Sequence, residues 1–417
     1  MVAALAVVGL AMAGCGASSA PSPGRSAITT TSTTTSAPKA DATANAGTSA
    51  PPTAPATTAR RTTYPTTALR TGEHFQSLAL PTAYTPHAAV GTDDYRCFLI
   101  NPHLATAAYL TGVTFEPDQA SEVHHAILYR VDPAQVSEAK SKDAADPGQG
   151  WGCFGSAGLN VLSGKGNQLT AAMDALRSAP WLAAWAPGGK EQLYAHGVGV
   201  PMAAGGQIVL QVHYNLLGGS RPDRTAVRLR LASAATQLKA LRTMLLPAPV
   251  ELPCTSTEHG PLCDRNASLL DLVQRFGDEA GATVGGLQLL CGGNFVHPHE
   301  GSTQSCNRRI DAPVTIQAAA GHMHLLGKSI KITLDPGTAR ARTLLNIPVW
   351  DFDDQGARTL SHPITVKAGE NIRVTCTHDA SLHQKLPALR NLPPRYVTWG
   401  DGSTDEMCLG ILLYTNP

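Results

Sequence analysis

The sequence has no excess of charge of either sign, with 32 Lys+Arg set against 31 Asp+Glu in 417 residues. Without a strong field there is little to hold nucleic acid or an anionic surface, so a polyanion partner is not expected. There is also no C-x2-C pair among the nine cysteines, which argues against zinc held in a ribbon or finger. What is present suits a packed β-rich protein. Hydrophobic residues make up 43%, enough for a core, while 39 Gly and 30 Pro favour turns and short strands over long helices. The expected fold class is therefore all-β, and the length calls for two or three domains.

The first 15 residues, MVAALAVVGLAMAGC, form an apolar run too short to span a bilayer and remain there. The run resembles a bacterial lipoprotein signal, with Ala13, Gly14 and Cys15 as the lipobox core and Cys15 as the residue to be lipidated. Met12 stands where Leu is usual, and no Lys or Arg precedes the run, as would follow if translation starts further upstream. Residues 16–71 are Ala, Ser, Thr and Pro with almost no large apolar side chain, TTTSTTTS at 29–36 being the extreme. Such a segment cannot bury enough surface to offset its conformational entropy, and it reads as a disordered tether. The expected location is outside the cell, lipid-anchored to the outer face of a bacterial cell membrane, with no other membrane contact.

With Cys15 taken by lipid, eight cysteines remain: Cys97, Cys153, Cys254, Cys263, Cys291, Cys306, Cys376 and Cys408. In an exported chain an even number points to disulfides rather than a thiolate metal site, although the connectivity stays open.

Several histidines fall inside strand-like apolar runs, where an unpaired imidazole is costly to bury. In SEVHHAILYRV, His124 and His125 are adjacent. Strand alternation sends neighbours to opposite faces, so both reach one metal only at a strand end, a bulge or a twisted position. In GQIVLQVHYNLL, His213 shares a face with Gln211, opposite Val212 and Tyr214; taken alone, a strand histidine is more often a satisfied core residue than a ligand. In IQAAAGHMHLLGKSI, His322 and His324 have the i, i+2 spacing that puts two imidazoles on one strand face. His297 and His299 flank Pro298 and read as surface loop. Met407, in STDEMC, is either core filler or a soft thioether ligand of the kind that suits Cu(I). A His-x-His pair completed by a distant Met is a copper pattern rather than a zinc one.

At this point the chain resembles the copper type II, ascorbate-dependent monooxygenases, the family of peptidylglycine α-hydroxylating monooxygenase and dopamine β-monooxygenase. The resemblance rests on DYRC at 94–97, VHHAILY at 123–129, AWAPGG at 184–189 with GVGV at 197–200, LQVHY at 210–214, HMHLLGK at 322–328 and STDEMC at 403–408, in the family's order. It implies two coppers. His124, His125 and His213 would hold the one that transfers electrons. His322, His324 and Met407 would hold the one at which dioxygen is used, and these three would be the catalytic residues. It further implies a Cys376–Cys408 disulfide behind Met407, and two tandem jelly-roll-like β-sandwiches with one copper site each and a cleft between them.

The domains then read as a signal at 1–15, a tether at 16–71, an N-terminal sandwich at 72–235 and a C-terminal sandwich at 236–417, which leaves Cys97 to pair with Cys153. The expected partners are a small-molecule or peptide substrate, dioxygen and an electron donor such as ascorbate. Where the amidating members carry an Arg two positions before His-x-His, this chain has Ala320. Their substrate-contacting Asn and Tyr fall on Leu409 and Ile411. Recognition of a terminal carboxylate is therefore not expected. The segment 251–311, with four cysteines, is more elaborate than the family's usual connection. The competing reading is a lipoprotein that binds or delivers copper without catalysis.

Overall fold

A computed structural model describes residues 64–88, 91–153, 156–159 and 180–417. The signal, Cys15 and the tether up to residue 63 lie outside the described residues. Strand accounts for 41% and helix for 15%, so the protein is mostly β, built from several small sheets.

Two of those sheets come from the N-terminal half. One holds the strands Glu73–Ala79, Ala226–Ser233, Ala108–Glu116, Val198–Met202 and Lys239–Ala240 in that order, with Gln192–Leu193 set against Ala108–Glu116. The other runs Trp151–Gly152, Asp93–Ile100, Gln207–Asn215, Val123–Val131, Trp181–Trp185. The central strand, Gln207–Asn215, shows why these residues fold this way. Ile208, Leu210, Val212 and Tyr214 enter a buried cluster shared with Leu110, Phe115 and Leu229 of the first sheet. Their neighbours of opposite parity, Val209, Gln211 and His213, face the other way, as period-two alternation requires.

The C-terminal half supplies a sheet ordered Arg242–Pro247, Leu409–Thr415, Val314–His322, Arg358–Val366 and a second ordered Thr303–Arg309, Asn371–His378, Gly327–Leu334, Arg342–Ile347. Ile316 and Leu412 of the first meet Ile330, Ile332 and Val374 of the second in one buried cluster. The short strand Lys239–Ala240 still belongs to the N-terminal sheet, Ala240 pairing with Gly199. The tether also ends earlier than composition suggests. Tyr64 donates to the Pro117 carbonyl, and the fully buried Arg230 donates to the Thr67 and Ala68 carbonyls while pairing with Glu73 and Glu191. Hydrogen bonding, not hydrophobic content, secures residues 64–70.

Segment 251–311 forms the helices Arg265–Phe276 and Asp278–Leu290. Asp264 caps the first by accepting from the Ala267 N–H, and Gly277, at φ 83°, makes the break between them. Four disulfides join Cys97–Cys153, Cys254–Cys263, Cys291–Cys306 and Cys376–Cys408. They fit an oxidising, exported setting. The last spans 32 residues of sequence, for which loop-closure entropy gives about 3–4 kcal/mol of stabilisation. Among the described residues no helix is long and apolar enough to cross a membrane.

Candidate metal centre

The pairing of Val123–Val131 with Gln207–Asn215 slips between Val123 and His125, where Val123 faces Tyr214 and His125 faces His213. His124 is the extra residue of this bulge. The bulge is the device by which adjacent histidines escape alternation and point to one place. The Nδ1 atoms of His124, His125 and His213 lie 3.4, 3.0 and 3.3 Å apart for the pairs 124–125, 124–213 and 125–213, and all three side chains are buried. An atom at the centre of such a triangle sits about 1.9 Å from each nitrogen, close to a metal–imidazole bond of about 2.0 Å. The set therefore fits a metal ion, and it is the His/Cys/Asp/Glu group among the described residues whose ligand atoms converge this tightly.

Protonation favours the same use. Burial first, then the neighbouring imidazoles, holds His124 and His125 well below the usual histidine range. Burial lowers His213 as well, against the opposing pull of Asp93. His213 donates its Nε2–H to Asp93 Oδ1 at 2.7 Å, which leaves the Nδ1 lone pair facing the triangle. Burial would raise the Asp93 carboxyl, but hydrogen bonds from His213 and Ser403 bring it down to about 2. Tyr95 stacks on the His213 ring at 3.9 Å with 13° between planes.

His322 ends its strand, opposite Leu409, and His324 lies beyond the strand in the following turn. The two rings are nevertheless 5.2 Å apart, because the fully buried Met323 between them takes the opposite side. His322 Nδ1 meets Gln355 Oε1 at 2.7 Å, and His324 Nδ1 meets the Asp405 carbonyl at 3.1 Å. These acceptors hold the Nδ1 protons and leave both Nε2 atoms as lone-pair donors. His324 Nε2 is buried with no hydrogen-bond partner, and so is His124 Nε2. Burial, then His324, pushes His322 down to about 4.

Met407 is buried in the loop just before the strand Leu409–Thr415. Glu406, with no exposed surface, fixes that loop. Its carboxylate accepts from the N–H groups of His324 (3.0 Å), Leu326 (2.8 Å) and Met407 (3.2 Å), and it lies 3.2 Å from His378 Nε2. A second acid, Asp405, takes a two-pronged contact from Arg275 at 2.6 and 3.0 Å. The elaborate segment thus grips the Met407 loop, and its Phe276 packs edge-on to Tyr95.

The two sets of histidines, expected on either side of a cleft, lie against each other. The ring of His124 is 5.7 Å from that of His324, and His125 is 6.0 Å from His322. Polar contacts close the seam around them. Ser403 donates to Asp93 at 2.6 Å, Asn215 donates to Ser403 Oγ at 2.9 Å, and the Tyr95 hydroxyl donates to the Asp401 carbonyl. Phe352 covers His124 at 5.2 Å, and its loop touches AWAPGG so closely that a Cβ on Gly188 would lie 1.6 Å from the Asp353 carbonyl oxygen. Sequence reasoning missed Asp93, Gln355, Asp405 and Glu406. The pair of acids preceding Met407 was the visible signal, since charged residues inside an apolar run have to be hydrogen-bonded.

These buried neutral histidines make the metal-free protein acid-sensitive. A histidine whose folded pKa is depressed takes up its proton first in the unfolded chain, so stability falls as pH drops from about 6.5 towards the folded value. For His322, lowered to about 4, the loss is up to about 3 kcal/mol. Urea midpoints of the metal-free chain should decline steadily between pH 6.5 and 4. A flat profile over that range would show that the histidines are not held neutral.

No family model matches the chain. A stretch of 107 residues is 28% identical to DBH-like monooxygenase protein 2 of Mus musculus, covering 25% of this chain and 16% of that protein. Among solved structures, the major capsid protein P2 of bacteriophage PM2 is 10% identical with a TM-score of 0.29, over 82% of this chain and 97% of that one. A fucolectin from Morone saxatilis serum is 6% identical with a TM-score of 0.15, over 78% and 84%. At such TM-scores neither is a fold match. The stretch shared with the mouse protein indicates a distant relationship to a monooxygenase-like protein.

Proposed function

We propose that the chain is an exported copper-dependent monooxygenase that hydroxylates a C–H bond of an organic substrate, using dioxygen and an external reductant. The observation that carries this reading is the convergence of three Nδ1 atoms beside a second pair of imidazoles, His322 and His324, of which His324 is fully buried with its Nε2 lacking a hydrogen-bond partner among the described residues. His124, His125 and His213 would hold one copper, and His322, His324 and Met407 the other. The all-nitrogen set suits a metal that cycles between oxidation states, while a thioether favours Cu(I). Two unlike ligand sets favour catalysis over storage, which needs no such difference. Bound copper supplies one-electron redox chemistry and the activation of dioxygen.

The protein's own groups set the conditions. Gln355 and the Asp405 carbonyl orient the His322 and His324 rings, Glu406 holds the Met407 loop to His324, and Phe352 screens the cluster from water. Each half is read as one β-sandwich of a tandem pair, with a lipid on Cys15 anchoring the whole. The substrate is not gripped by a terminal carboxylate: Ala320 pairs across the sheet with Ile411 and His322 with Leu409, leaving apolar side chains at the three positions in question.

Full-length protein reconstituted with copper under reducing and then oxidising conditions should hold two coppers per chain by elemental analysis. Zinc in their place, or at most one copper after full reconstitution, would refute the reading.

A further inference from the structure

One carboxylate oxygen at the seam serves both halves of the chain. Asp93 Oδ1 accepts from His213 Nε2 at 2.7 Å, from the Ser403 hydroxyl at 2.6 Å and from the Ser403 N–H at 3.2 Å. His213, Asp93 and Ser403 are all buried, so bulk water competes little for these bonds. Asn215, two residues beyond His213 on the same strand, donates to Ser403 Oγ at 2.9 Å, which turns the hydroxyl proton towards Asp93. Tyr95 makes a parallel link, because its ring stacks on His213 while its hydroxyl donates to the Asp401 carbonyl. The side chains that hold the His213 ring therefore also hold residues 401–403.

Those residues begin the loop that ends at Met407. Within it the Asp405 N–H closes a turn on the Gly402 carbonyl at 2.9 Å, and the Glu406 carboxylate takes the N–H groups of His324 and Met407. A contiguous buried run thus leads from the His213 ring through Asp93, Ser403 and the turn to Glu406 and the His324 backbone. Neither ligand set has to touch the other for a shift in one to disturb the other.

We propose that Ser403 is a positioning residue that couples the two ligand sets, so that copper held by the histidine triangle strengthens Cu(I) binding at His322, His324 and Met407, and the reverse. The proposal rests on the copper reading. Occupation of the triangle through Nδ1 fixes the His213 ring and keeps its proton on Nε2. Asp93 is then held where the Ser403 hydroxyl reaches it, and the ordering of loop 401–407 is already met when the second ion binds. Linkage makes the effect equal in both directions.

The test uses reduced full-length protein in competition with a Cu(I) chelator without oxygen. His322→Ala leaves the triangle alone and gives its single-site constant, and His125→Ala does the same for the Met407 side. The overall constant for two coppers on the parent should exceed the product of those two by at least about fivefold. Repeated in a Ser403→Ala background, the ratio should fall to about one, although Ser403 is in neither ligand set. Asn215→Ala, which frees the Ser403 hydroxyl to turn away from Asp93, should lower the ratio in the same direction and serves if Ser403→Ala does not fold. A purely structural role for Ser403 would weaken the single-site constants and leave the ratio above fivefold. That result, or a ratio of one in the parent with two coppers bound, overturns the coupling while the copper reading stands. A parent that takes up no copper overturns the copper reading and the coupling with it.

Discussion

His213→Ala is expected to lower copper from two to about one per chain and to cut hydroxylation by more than about 100-fold. The substitution removes one corner of the Nδ1 triangle, leaving His124 and His125 at 3.4 Å, too few ligands to hold the ion against dilution. It has a second effect that has to be separated from the first. Asp93 loses the 2.7 Å bond from His213 and keeps, among the described residues, Ser403 and Thr92 as partners, which leaves a buried carboxylate under-satisfied at a cost of about 1–3 kcal/mol. His125→Ala resolves the two, because among the described residues His125 has no carboxylate contact. If the triangle is a metal site, both variants lose the same copper and the same activity, and only His213→Ala unfolds at lower denaturant. If His125→Ala retains two coppers and full turnover, the triangle is ordinary core packing.

The parts of this protein readable from sequence were those governed by period-two alternation and by local chemistry. His213 and Gln211 on one strand face, opposite Val212 and Tyr214, follow from alternation alone, and the strand Gln207–Asn215 has that arrangement. That adjacent His124 and His125 converge only at a strand end, a bulge or a twisted position also followed from alternation, and the structure uses the bulge. His322 and His324 came out close in space for a different reason from the one expected. The strand stops at His322, and it is Glu406, 82 residues from His324, that shapes the turn carrying the second ring. No local pattern encodes a contact of that separation. The same holds for Asp93 with Ser403, 310 residues apart, and for Arg275 with Asp405. Composition misjudged residues 64–70 because it registers apolar content and not the backbone carbonyls that Arg230 captures.

Met407→Leu is the sharper test, because it changes one atom type and little else. Leucine matches methionine in volume, and such swaps usually cost under about 1.5 kcal/mol. The backbone at 407 is held independently of its side chain: Glu406 takes the N–H at 3.2 Å, the carbonyl lies 3.3 Å from His378 Nε2, and the next residue is tied to Cys376. The loop should therefore stay in place, with His324 still anchored to Glu406 and the histidine triangle untouched. Only the soft sulfur is lost, and with it the preference for Cu(I) on the His322 and His324 side. Dialysis of the reduced variant against a Cu(I) chelator should strip one copper and leave about one, whereas the parent keeps two. Reductant-dependent oxygen consumption with a substrate found by screening should fall at least about 100-fold, while the urea midpoint shifts little. His322→Ala should give the same copper loss, which locates the effect in the ligand set rather than in packing around position 407. Full turnover in Met407→Leu, with two coppers retained, would mean that the thioether only fills space and that dioxygen chemistry at His322 and His324 proceeds without it.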